Sequence, residues 1–229
     1  MSEGSKEIIE SYLSQIWDKA FPCIAAKTAQ AKRQIQCMVA DHLACPKDDS
    51  AIVEFLYDFV DEYRRSENLY NSAVVLFKGP EECDEEMFDK FLWQRLQAIS
   101  DLDAVHYQYD SRVDGDPSSS KFSFSLKEEA VYVIGLHPLS SRKARQFRYP
   151  ALVFNPHGQF EKLRATNKYD RMRRVVRNRD VNFSGSINPM LADFGESSEV
   201  FQYSGRHYDK DWKCPFISHH AGIKNNPSP

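Results

Sequence analysis

The sequence predicts an α+β fold, a single domain built on a mainly antiparallel sheet flanked by helices. Three observations predict it. Short apolar runs bounded by Gly, Pro or Asn recur at residues 73–77, 131–134 and 151–154, as buried strands do. Segments with helical apolar spacing separate them, so helix and strand are interspersed. The alternating stretch 122–126 lies just before the run at 131–134, which predicts a hairpin across Lys127-Glu128-Glu129 and hence antiparallel pairing.

In chain order, residues 5–19 gather Ile8, Ile9, Tyr12, Leu13, Ile16 and Trp17 on one helical face, with Ser5 as a cap. Phe21-Pro22-Cys23 breaks that helix, and the small residues after it would let backbone approach a ligand closely. Cys23 reads either as a small buried hydrophobe or as a reactive thiol. Residues 34–43 fit a strand or a helix. Ile52, Phe55, Leu56, Phe59, Val60 and Tyr63 are spaced for a helix over residues 50–67, and Asp84 caps another over 84–99, with acids in its first turn. A polar loop follows at 110–120. Residues 169–179 read as a basic helix with Met172, Val175 and Val176 as its apolar contacts. Residues 182–199 are loop-rich and carry Asp193, Glu196 and Glu199.

A chain of 229 residues with 41% hydrophobic and 28% charged content is ordinary for a globular protein. We expect one domain over residues 1–216 and a loosely ordered tail over 217–229, which is rich in Asn, Pro and Ser. No apolar run approaches membrane-spanning length, and the N-terminus opens acidic and amphipathic rather than as a secretory leader, so a cytoplasmic location is expected. The five cysteines form no C-x-x-C pair, which argues for reduced thiols and against a disulfide framework or structural zinc.

The net charge of −3 hides an asymmetry: residues 136–180 hold 12 Lys and Arg against 3 Asp and Glu, leaving 18 against 30 elsewhere. With a pI near 6.2 the chain is not basic overall, which argues against a nucleic-acid partner and for a local anion site. That basic block lies among the residues best placed for chemistry. His137 and His157 each sit just past a strand end, where a sheet holds the backbone while the side chain can face a cleft. Between them Arg142 and Arg145 offer guanidinium forks for carboxylate or phosphate. The plainer reading is two capped strand ends and a solvated loop.

An ordered set of short motifs runs from Phe21 to Phe216. It comprises Phe21-Pro22-Cys23 with Lys27 and Ala29, Leu136-His137-Pro138 with Ser141-Arg142 and Ala144-Arg145, and Pro150 to Arg164 with Asn155, His157, Gln159-Phe160-Glu161 and Leu163. Asn188-Pro189-Met190-Leu191, Gln202 to Arg206 and Asp211 to Phe216 complete it. In these residues the chain resembles the YqcI/YcgG family, and within it the branch of guanitoxin-pathway haem-dependent N-hydroxylases. The resemblance implies a haem-b monooxygenase that hydroxylates a guanidino nitrogen of an arginine-like amino acid or related small amine. Dioxygen and an electron donor would be its other partners, and a homodimer is compatible with it.

Haem needs an axial ligand, groups for two propionates and a dry pocket. For the ligand His137 comes first, with Cys23, Cys214 and His157 as alternatives and Met190 and Tyr203 less rigidly held. Lys27, Arg142 and Arg145 are candidates for the propionates, Asp193, Glu196 and Glu199 for the substrate cation, and Arg206 for its carboxylate. Two other classes remain open. A cysteine–histidine acyl-transfer enzyme would pair Cys23 or Cys214 with His137 or His157. A non-catalytic anion- or nucleic-acid-binding protein would use the basic block 142–179.

Overall fold

The computed structural model describes residues 2–66, 68–186, 190, 194–209 and 211–221. Its centre is a five-stranded sheet in the order β1-β2-β5-β4-β3, with β1 (Ile35–His42), β2 (Ser72–Gly79), β3 (Phe124–Leu126), β4 (Glu129–Leu136) and β5 (Ala151–Pro156). Only β1 and β2 run parallel; the β2–β5, β5–β4 and β4–β3 pairs are antiparallel. The fold is α+β with a mostly antiparallel sheet, as the sequence predicts, and residues 34–43 resolve as the edge strand β1.

The β3–β4 hairpin closes through Lys127 and Glu128, both with positive φ (51° and 57°), the conformation that matches a two-residue turn to the strand twist. Neither residue is glycine. The strained turn is held from outside: Arg64 donates to both carbonyls at 2.8 and 2.9 Å, and Asp103 accepts the Lys127 N–H at 2.9 Å.

Strand pleating divides the interior into two layers. Ala73, Val75, Phe77, Val131, Val133, Leu152 and Phe154 face α3 (Asp49–Arg65) and α4 (Glu85–Ala104), whose Leu56, Phe59, Phe88 and Leu92 complete the larger core. The intervening Val74, Leu76, Leu136, Ala151 and Val153 face α1 (Glu3–Trp17), which contributes Ile8, Tyr12 and Ile16. The α1 face is further covered by α2 (Ile24–Ala31), α5 (His157–Ala165) and α6 (Tyr169–Ser184). Helix α6 extends five residues past the expected end at Arg179 and stops at Gly185 in the left-handed region.

Helix α7 (Val200–Tyr203) drops Tyr203 into the larger core. Beyond Phe216 the chain stays packed on α4: Ile217 exchanges hydrogen bonds with Gln97, and buried His220 meets Asp103 at 2.9 Å. Packing thus continues into the segment expected to be loose, and residues 222–229 lie outside the described residues. Among the described residues no helix is long and apolar enough to cross a membrane.

Candidate functional site

On the α1 face the sheet and its helices line a partly open cavity of about 360 Å³, within the ~300–1,000 Å³ typical of small-molecule sites. Its floor follows the two-residue period of the strands: Ser72 from β2, Ile134 and Leu136 from β4, Val153 and Asn155 from β5. Tyr12 and Ile16 of α1, the segment around Cys23, and Met172 and Val176 of α6 form the walls. The basic block supplies the rim, because α5 and α6 turn Arg164, Arg173 and Arg177 toward it. Arg173 pairs with Asp170 at 3.0 Å, whereas Arg177 has no ion-pair partner among the described residues. An apolar floor under cationic groups suits a ligand with an apolar body and acidic ends.

His137 is not in this cavity. Leu136 points to the α1 face, so the next residue points to the other. The His137 ring stacks on Phe88 of α4 with centroids 4.5 Å apart, and its Nδ1 lies 3.2 Å from the Cys83 carbonyl. It is 1% exposed, and burial holds its pKa below the ordinary value, leaving a neutral core imidazole. Cys214 is also elsewhere, packed against the larger core with its thiol pushed up to about 12 by burial. Tyr203 is fully buried, its hydroxyl shared between the Phe124 N–H and Glu199. Met190 does not line the cavity. Of the expected axial ligands, the cavity walls contain Cys23 and His157.

Cys23 is the N-cap of α2, not part of a loop. Its sulfur accepts the Ala26 N–H at 3.4 Å. A helix N-terminus favours a thiolate, but burial outweighs it here and raises the thiol above its ordinary value. The resting group is a protonated thiol on the cavity wall.

The three cations expected to bind an anion are engaged by groups of the chain itself. Arg145 lines the cavity, and its guanidinium donates to three carbonyls: Gly135 at 3.2 Å, Tyr203 at 2.9 Å and Gln202 at 2.7 Å. It staples α7 to the sheet. Arg142 is tied to Asp180 at 2.6 Å and the Ser186 carbonyl at 2.9 Å. Lys27 lies outside the cavity, capping the end of α1 through the carbonyls of Asp18 and Lys19. All three bind groups of the chain itself, and Arg142 also lines the cavity together with Arg164, Arg173 and Arg177.

The acidic cluster separates as well. Arg206 faces α4, pairing with Glu86 at 2.9 Å and lying 3.8 Å from Asp89. Glu196 is exposed, and Asp193 lies outside the described residues. Among the described members of this group, Glu199 lines the cavity, with its carboxyl pushed up to about 7 by burial. Its Oε2 accepts from the Tyr203 hydroxyl at 3.1 Å, and its Oε1 is 3.7 Å from His157 Nε2. Burial also lowers the His157 pKa, so this imidazole is neutral near pH 7. Beside them Gln159, 3% exposed, donates to the Asn71 carbonyl at 3.2 Å while its Oε1 has no partner among the described residues. An orphaned acceptor at a cavity wall invites an N–H donor from a ligand. Sequence reading placed Gln159 in a motif without a role; its place in the first turn of a helix leaving a strand end was the available signal.

The model of the YqcI/YcgG family matches residues 9–217. The chain belongs to this family. A YqcI/YcgG relative, the "Uncharacterized protein YqcI" of Bacillus subtilis (strain 168), is 27% identical over 220 residues, covering 90% of this chain and 85% of that one. No solved structure matches. The match spans every strand of the sheet and the cavity-lining helices α2, α5 and α6, so the cavity belongs to the matched region.

Proposed function

We propose that the chain is a haem-dependent N-hydroxylase whose cavity on the α1 face holds haem b and a small cationic substrate bearing a guanidino group. The observation that carries this reading is the joint placement of a thiol, an apolar floor and Arg177, which has no ion-pair partner among the described residues, around one cavity. The residues fit the group. Cys23 would offer a sulfur ligand, and Arg164, Arg173 and Arg177 would offer charge-assisted donors for propionates. Bound haem would supply the activation of dioxygen for inserting oxygen into an N–H bond.

The chain's own residues do the rest. Tyr12, Ile134, Leu136 and Val153 exclude water. Glu199 and Gln159 present a carboxyl and an unpaired carbonyl oxygen, the acceptors that a cationic N–H group needs. The elevated pKa of Glu199 has a clear consequence: a cation entering beside it favours the ionised form, so binding releases a proton below about pH 7.

A pyridine haemochrome assay on protein expressed with supplied haem tests the cofactor, and turnover of arginine-like amines with dioxygen and a reductant tests the substrate. Haem-free, well-folded protein would overturn the reading. An acyl-transfer role is less well supported, since the Cys23 thiol is held protonated and His157 faces two carboxylates.

A further inference from the structure

Glu161, His157 and Glu199 are strung between solvent and the cavity. The Glu161 side chain is 52% exposed, while those of His157 and Glu199 are 5% and 6% exposed. The imidazole stands between the two acids: Nδ1 is 3.8 Å from Glu161 Oε1, and Nε2 is 3.7 Å from Glu199 Oε1. Each ring nitrogen is therefore addressed to a different carboxyl, one wet and one inside. Phe194 meets the ring with centroids 4.4 Å apart, and Tyr203 fixes Glu199 through Oε2, so the remaining oxygen faces the imidazole. Both gaps exceed a hydrogen bond, and sites without ligand close such gaps by small shifts or bridge them with water.

We propose that Glu161, His157 and Glu199 form a proton path between solvent and the cavity, an inference that rests on reading this cavity as the ligand site. Outward, the Glu199 O–H bond breaks as its proton passes to Nε2 of His157. The Nδ1–H bond breaks as that proton passes to the Glu161 carboxylate, which releases it to water. Inward transfer reverses each step, and no electrons move. A neutral imidazole is needed, with one nitrogen donating and the other accepting, and burial keeps His157 in that form. The surrounding charges are fixed: Arg164 on the same helix, and Arg112 and Asp110 from the loop before β3, Arg112 being tied to Asp110 and, at 2.9 Å, to Glu129. Around Glu199 stand Tyr203 of α7, Ser123, Tyr109 and Tyr132, with Arg164 as the cation that acts on it. The path lets a cation in the cavity displace the proton of the buried Glu199 carboxyl.

The test is pH-jump infrared spectroscopy on the haem-free protein, following the protonated-carboxyl band that Glu199→Gln removes. The expected result is an equilibration rate at least tenfold slower in His157→Gln and several-fold slower in Glu161→Gln, with external imidazole restoring the rate in His157→Gly. Absence of any such band between pH 5 and 8, or equal rates in wild type and Glu161→Gln, overturns the proposal. Glu161 is at the surface, so its variant decides the matter even if the His157 variants do not fold. Because the readout needs no haem, failure of the haemochrome assay and failure of the path are separate results.

Discussion

His137 stacks on Phe88, 19° from parallel, on the sheet face opposite the cavity. The glycine two residues before it explains how closely this face is packed. A Cβ at Gly135 would lie 2.5 Å from the Phe88 ring, so α4 rests directly on strand backbone. His137→Ala should therefore cost stability, roughly 2–4 kcal/mol by comparison with large-to-small core changes, and leave haem content unchanged. Chemical denaturation and a haemochrome assay on the same sample check it. Loss of haem from a stable variant would return His137 to the site.

Gln159 carries the opposite expectation. Its unpaired Oε1 represents a desolvation cost of about 1–3 kcal/mol in the absence of ligand. Gln159→Leu should keep or raise the thermal midpoint while weakening substrate binding about tenfold, as calorimetric titration would show. A variant that is destabilised but binds normally would make the residue purely structural.

Glu199 gives the pH dependence. Its folded pKa lies near 7 against an ordinary 4.5, so between these values the folded state holds more protons than the unfolded, and its contribution to stability falls as pH rises through that window. The shift corresponds to roughly 3 kcal/mol at ~1.4 kcal/mol per unit. His157 and His137, with lowered values, act the other way and lose stability as pH falls below their ordinary range. Glu199→Gln should therefore be more stable than wild type at pH 8, with the difference vanishing toward pH 4.5. A constant difference across that range would contradict the burial argument.

At the rim, Arg177→Gln should weaken retention of a dianionic ligand about tenfold, the loss of one charge-assisted hydrogen bond. Lys27→Gln should leave retention unchanged, since that ammonium caps α1. Haem dissociation measured by transfer to an apo-globin acceptor compares them. Equal effects would mean that the rim acts only through its overall charge.

Much of this architecture was legible because apolar spacing and strand runs are local. Tyr12, Phe59 and Leu92 lie inward as their spacing requires, and the hairpin through Lys127 and Glu128 forms where the alternation breaks. The site was less legible for a physical reason. Residues 131–136 are apolar on both faces, so nothing in the run itself says whether residue 136 or 137 faces the ligand; α4 against Gly135 decides it. Arg145 and Lys27 look like anion binders in one dimension, but the carbonyls that occupy them come from residues distant in sequence. Glu199 stands among the acidic candidates in the sequence, yet its burial and its neighbour His157 depend on α5 and α7 meeting, 42 positions apart in the chain.

The most direct measurement is haem stoichiometry, together with the carbon monoxide spectrum of the reduced protein, for wild type and Cys23→Ser. We predict about one haem per chain with a thiolate-type spectrum in wild type. In a folded Cys23→Ser, haem should be lost or the thiolate signature abolished. Wild-type protein that folds without haem, or a Cys23→Ser variant with full haem and an unchanged spectrum, would contradict the assignment of Cys23 and its cavity.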